Sequence, residues 1–227
     1  MSKSIGVAIP CYEGHIELLK TLLDSINIQT INPNIVVVSC SSTKELILNK
    51  TYHFNLKIVT TEHLKNAAEN RNIACKYINT DIITFCDADD IMHPQRIEII
   101  LNTFNNNNID ILYHNGIYKE PYISSPFEKI DSADVIYNEL RQSQCGCITH
   151  NNYNNYSIFH GHVTVKANIY NKVKFNEHYT YNLKDDCAFG YDVFNLPDIK
   201  SAYVINPLIK YTFSRSMEKF DENINKI

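Results

Sequence analysis

Apolar positions along the first half of the chain switch between two periods, and their order predicts strand, helix, strand. Ser4 to Ile9 is a short apolar run that reads as a buried strand, and Ile16, Leu19, Leu22, Leu23 and Ile26 then recur at helical spacing up to about Gln29. Asn34 to Ser39, centred on Ile35-Val-Val-Val38, predicts a second buried strand whose β-branched residues suit the middle of a parallel sheet. Leu56 to Thr60 predicts a third strand. Lys65 to Ile78 predicts a helix burying Ala67, Ala68, Ala74, Tyr77 and Ile78, and Asp81 to Cys86 a fourth, central strand. Parallel strands joined through helices imply right-handed crossovers.

Pro94 stands where a helix should begin, and Ile97, Ile100, Leu101 and Phe104 supply its apolar stripe. Ile109 to Tyr113 predicts a further strand. The pattern weakens beyond Lys119, where Pro121 and Pro126 break the chain and a loop-rich stretch, with a short helix at Ala133 to Leu140, runs to Tyr156. Ile158 to Val165, Ala202 to Ile205 and Ile209 to Phe213 then read as strands, with a helix near Asp186 to Phe194. The fold class is therefore α/β: a Rossmann-like, mixed and mostly parallel central sheet flanked by helices. No repeat or Pro/Gly/Ser-rich linker divides the chain, so residues 1–227 read as one domain, with a doubly wound half (1–118) and a mixed half (119–227).

Composition narrows the function. With 44% hydrophobic and 20% charged residues the chain can bury an ordinary core, which excludes intrinsic disorder. A net charge of −4 without any block of Lys and Arg argues against a nucleic-acid partner, though small nucleotides remain open. The N-terminal apolar run is too short for a signal peptide or anchor, and no stretch is long enough to be an integral membrane segment. Seven cysteines at scattered positions, Cys145 and Cys147 being the only close pair, read as thiols of a reducing compartment, so a cytoplasmic location is expected.

The chemistry concentrates in Phe85-Cys86-Asp87-Ala88-Asp89-Asp90, where three carboxylates follow a buried strand. In open α/β sheets the carboxyl ends of central strands line the ligand crevice. Acidic groups there suit a hard cation such as Mn²⁺ or Mg²⁺ that bridges protein and a diphosphate. The alternative is a loop ending in a helix cap. Four segments occur together: Ile5-Gly-Val-Ala-Ile-Pro-Cys-Tyr-Glu13, Asn70-Arg71-Asn72-Ile73-Ala74, Phe85 to Pro94, and Leu183-Lys-Asp-Asp186. In order and spacing they resemble the family 2 glycosyltransferases of GT-A fold, as does the later Asn206-Pro-Leu-Ile-Lys-Tyr211.

That resemblance implies a nucleotide-sugar donor, usually a UDP-sugar, a Mn²⁺ or Mg²⁺ ion, inversion at the anomeric carbon, and a hydroxyl acceptor on a glycan, a protein or a lipid-linked carrier. By the same resemblance Pro10, Cys11, Tyr12 and Glu13 contact base and ribose, and Ser39 stands where the family often carries an Asp for the nucleobase. Arg71 lies near the nucleotide, Asp87 and Ala88 contact the donor, and Asp89 is the metal ligand, with Asp87 as a second. Asp90 reads as a cap of the next helix. A sugar hydroxyl needs a positioned carboxylate to take its proton, for which Asp186 is the first candidate and Asp185 the second. Either could instead be an N-cap.

His160 and His162 alternate on the predicted strand, so they share a face and could bind metal or orient a sugar; the alternative is a pair of buried, hydrogen-bonded histidines. Arg215 is a candidate diphosphate contact or a plain salt-bridge residue. Two further readings stay open: a catalytically silent nucleotide-sugar or glycan-binding module on the same fold, and a nucleotidyltransferase. Cys11-Tyr-Glu-Gly-His15 does not resemble the basic, Gly-rich loop the latter would carry.

Overall fold

The computed structural model describes residues 2–42, 50–118, 124–142, 148–150, 160–178 and 185–212, with positions 46, 48, 122 and 158 between them. The first half follows the sequence pattern: β1 (Ile5–Tyr12), α1 (Ile16–Asn27), β2 (Ile35–Ser41), β3 (Leu56–Thr61), α2 (Ala67–Cys75) and β4 (Ile82–Phe85). A two-residue strand, β5 (Ile91–Met92), precedes α3 (Arg96–Asn106) and β6 (Ile111–Ile117). The second half supplies β7 (Val135–Tyr137), β8 (Leu140–Gln142), β9 (Ile148–His150), β10 (Thr164–Lys166), α4 (Ala167–Lys172), α5 (Asp185–Phe194) and β11 (Ser201–Lys210).

One sheet runs β3-β2-β1-β4-β10-β6-β11-β5, with β7 also on β11, while β8 and β9 form a separate antiparallel pair. β1 is parallel to both β2 and β4, and β6 to β11; β10 is antiparallel to β4 and β6. Strand alternation sends Ile5, Val7, Ile9 and Val36, Val38 into a core with α1 and α3, and Ala8 and Val37 into a second core with Phe85, Phe175 and Phe189. Both faces are covered, which is why β1 and β2 read as continuous apolar runs. Strand order reverses direction at β1, between β2 and β4, so the crevice expected of such sheets opens at their carboxyl ends.

Four expectations fail. Residues 133–140 hold β7, a bend and the first residue of β8 rather than a helix, because β11 offers an edge on which Val135 to Tyr137 pair antiparallel. Ala202 to Ile205 and the start of the last predicted strand belong to one strand, β11, whose register shifts around Pro207, a residue without an N–H for the ladder; Phe213 lies outside the described residues. His160 to His162 is a 3-10 turn and only Thr164–Lys166 is strand, so the two histidines do not alternate on a pleat. The His162 carbonyl accepts instead from Arg96 Nη2 at 3.2 Å. Finally Asp90 caps no helix: α3 starts after Gln95, and Asp90 is buried with other partners.

Candidate active site

A cleft of about 600 Å³ lies at the carboxyl ends of β1 and β4. Pro10, Cys11, Tyr12, Arg71, Asp87, Ala88 and Asp89 line it, as the sequence suggested, together with His15, residues 64–66 of the β3–α2 connection, the first turn of α2, and Tyr211. Its floor is fixed by Asn70, buried in α2, whose Nδ2 donates to the Cys11 carbonyl (3.3 Å) and to Ser41 Oγ (3.1 Å) while its Oδ1 accepts from Ser39 Oγ (2.8 Å). Ser39 is therefore fully buried and committed to Asn70, and is not part of the lining. Glu13 sits exposed in the 3-10 turn after β1 and does not line the cleft either. Cys11 lies beside Cys40 on the neighbouring strand; its hydrogen bond with Cys40 and its burial push the thiol up, leaving a neutral, small floor residue.

α2 begins with a capping box, Asn66 Oδ1 accepting from Glu69 N and Glu69 Oε2 from Asn66 N, both at 2.8 Å. That start turns Arg71 inward, where it is only 3% exposed. Nη2 donates to Asp87 Oδ1 at 2.6 Å and Nη1 donates to Asp185 Oδ2, a residue 114 positions away at the start of α5. Burial opposes the Arg71 charge, but Asp87 and Asp185 outweigh it and keep the guanidinium ionised. Arg71 thus holds carboxylates from both halves of the chain. Gly161 is what permits this approach: a Cβ there would sit 2.6 Å from Asp87 Oδ2 and 3.2 Å from Arg71 Nη2.

The acidic groups divide by environment. Burial pushes the Asp185 carboxyl up and Arg71 pulls it back. Asp186, on the next step of α5, is half-buried and forms no ion pair among the described residues; its Oδ1 accepts from Cys187 N at 2.7 Å. Asp90 Oδ2 is 2.6 Å from His162 Nε2, and Oδ1 accepts from Thr212 N at 2.8 Å. This buried pair ties the loop after β4 to the segment after β11, and it accounts for His162 as a structural partner rather than a ligand contact. Burial pushes the Asp89 carboxyl up to about 6, reinforced by the charges of Asp90 and Asp87. Burial and the same carboxylates push the Tyr211 phenol up to about 12.

These residues fit a divalent cation. Asp87, Asp90 and His162 place three ligand-type atoms within 4.8 Å of one another, yet Asp90 and His162 already bond each other. Asp89 is the better donor: among the described residues the one basic side chain near it is the His15 imidazole, at 3.8 Å, and the negative charge it shares with Asp87 and Asp90 is what a cation would neutralise. The side chain of His160, and all of Leu183, Lys184 and Arg215, lie outside the described residues. A larger hollow of about 970 Å³, lined chiefly by residues 115–118 and 125–132, shares no lining residue with the cleft, and the one histidine in its lining, His93, has both ring nitrogens engaged, by the Glu128 carbonyl and by Gln95 N. His15 and Asn70 carry roles that sequence reasoning missed; Asn70 lay inside a quoted motif, whereas nothing local marked His15.

The pattern of Glycosyl transferase family 2 matches residues 6–167. An uncharacterized glycosyltransferase of Haemophilus influenzae is 29% identical over 112 residues, 48% of this chain and 38% of that protein. The Escherichia coli UDP-Glc:alpha-D-GlcNAc-diphosphoundecaprenol beta-1,3-glucosyltransferase WfgD is 33% identical over 96 residues, 41% of this chain and 37% of its own length. The matches thus span under two fifths of these curated relatives. S. aureus TarS 1–349 in complex with UDP superposes with a TM-score of 0.65 at 16% identity, covering 96% of this chain and 62% of that one; the complex with UDP-GlcNAc gives 0.61 at 16%, over 93% and 59%. At that identity the likeness is one of fold, and the fold is GT-A.

Proposed function

The chain belongs to glycosyl transferase family 2, and from that premise we propose that it moves a sugar from a UDP-sugar to a hydroxyl acceptor, with inversion at the anomeric carbon and with a Mn²⁺ or Mg²⁺ ion. The observation that carries this reading is Arg71. By binding Asp87, which lines the cleft, and Asp185, which lies behind that lining, it ties the Asp-x-Asp loop to the start of α5. UDP as the nucleotide is supported by the ligands named for TarS and by the donor of WfgD. The acceptor is a hydroxyl of a glycan, a protein or a lipid-linked carrier, the last in keeping with WfgD.

Pro10, Cys11 and Tyr12 form the nucleotide end of the cleft, and Asp87 and Ala88 the wall along the donor. Asp89 would hold the metal. When bound, the cation supplies positive charge against the departing diphosphate. Asp186 accepts the proton of the acceptor hydroxyl as its oxygen bonds to the anomeric carbon and the bond from that carbon to the diphosphate oxygen breaks. Asp185 is unsuited to this work because Arg71 already holds it. Residues 1–227 act as one domain, 1–118 serving the donor and 119–227 the acceptor. The five described cysteines are buried thiols, which supports a reducing, cytoplasmic setting; no helix of the described residues is long and apolar enough to cross a membrane.

A thermal-shift series with UDP-, GDP-, CMP- and dTDP-sugars, with and without Mn²⁺, tests the proposal. Metal-dependent stabilisation by UDP-sugars that disappears in Asp89→Ala is expected. A folded protein that responds to no donor under either condition overturns the donor reading and leaves a silent module.

A further inference from the structure

The side chain of His15 lines the cleft beside Asp89. The residue stands at the N-cap of α1, where Ser, Asp or Asn would bond the first free N–H groups, yet it makes no side-chain cap bond. Its Nε2 is wholly buried and has no hydrogen-bond partner among the described residues. Buried ring nitrogens are normally bonded, so an orphan one calls for an explanation such as an ion. The nitrogen lies 3.8 Å from Asp89 Oδ2, too far for a hydrogen bond, and both residues line the cleft. Two ligand bonds of about 2.1 Å each reach across at most about 4.2 Å, so one cation can join these atoms.

The imidazole is held in place. Tyr12 packs against it with ring centroids 4.2 Å apart, and Tyr12 can lie there only because residue 14 is glycine: a Cβ would meet the Tyr12 ring, 2.8 Å from its Cζ. Tyr12-Glu13-Gly14-His15 therefore reads as a short device that turns a histidine from the end of β1 toward the end of β4.

We propose that His15 Nε2 is a ligand of the divalent cation, shared with Asp89, so that the ion is gripped between the ends of β1 and β4 and not by the loop after β4 alone. This rests on the donor and metal reading above. An imidazole ligand shifts preference toward transition ions and away from Mg²⁺. The site should accordingly favour Mn²⁺ over Mg²⁺, and the preference should depend on His15.

The test uses the full chain with UDP and Mn²⁺. Pulsed electron paramagnetic resonance should show ¹⁴N modulation from a directly bound imidazole nitrogen in the wild type, lost in His15→Ala and in His15→Gln. Mn²⁺ affinity in these variants should fall at least about ten-fold, with a smaller loss for Mg²⁺. A wild-type spectrum without nitrogen coupling, coupling that survives both substitutions, or Mn²⁺ affinity within two-fold of wild type overturns the assignment while leaving Asp89 as the metal ligand. If the wild type binds UDP but no Mn²⁺, the metal reading itself falls and this assignment with it. Circular dichroism melts of both variants confirm that any loss is read on folded protein.

Discussion

Arg71→Met removes the guanidinium and keeps most of its volume. Asp87 and Asp185 then face each other across the place of a lost cation, in a setting where Arg71 was 3% exposed. Breaking a buried ion pair from one side costs about 3–5 kcal/mol, because the remaining charge is left without compensation. For a chain of this size that corresponds to a fall in Tm of about 6–20 °C. The loss should depend on pH in a definite direction. Burial already holds the Asp185 carboxyl above its ordinary value while Arg71 pulls it back, so without Arg71 it rises further, and below neutrality the folded state takes up a proton that the unfolded state does not. The deficit is therefore largest at pH 7.5 and shrinks toward pH 5. Adding Asp185→Asn removes one uncompensated charge and should recover part of the loss. Urea unfolding of wild type, Arg71→Met and the double variant at pH 7.5 and 5 measures all of this. A loss below about 1 kcal/mol, the same loss at both pH values, or a further loss in the double variant would refute the idea that Arg71 acts by neutralising these carboxylates.

Asp89 carries a similar signature in the wild type: a carboxyl lifted from 3.8 to about 6 amounts to about 3 kcal/mol, present in full below the unfolded value and lost as pH rises through 6. Metal-free protein should gain stability on acidification from pH 7 to 5, and Asp89→Asn should flatten that slope in a pH series of thermal melts. Gly161→Ala forces a methyl group to 2.6 Å from Asp87 Oδ2 and should destabilise by about 1–3 kcal/mol, read as a lower midpoint in urea; an unchanged midpoint would show that the turn yields freely. Asp186→Asn should lower kcat by about 10²–10⁴ with UDP-sugar affinity within two-fold in calorimetry, whereas Asp185→Asn should chiefly lower stability. Equal kcat for Asp186→Asn and wild type would remove it as the base.

The doubly wound first half was legible because its information is local. Four successive β-branched residues make Ile35-Val-Val-Val38 read as a strand covered on both faces, and Leu19, Leu22, Leu23 and Ile26 recur at the 3.6-residue period of one helix face, which backbone geometry fixes. The position of Asp87 to Asp90 just past a buried strand followed from the same patterns, and with it the cleft. Residues 133–140 misled because a short apolar stretch takes its state from what it packs on, and β11 offered an edge. The pairings within the site were likewise not in the sequence. Nothing near Arg71 announces Asp185, nothing near Asp90 announces His162 and Thr212, and Ser39 looked available until Asn70 closed over it. Which carboxylate is spent on a partner, and which is left for chemistry, depends on distances between residues brought together by strand order. A charge in a buried setting is decided by neighbours a few ångströms away, and those neighbours come from anywhere in the chain.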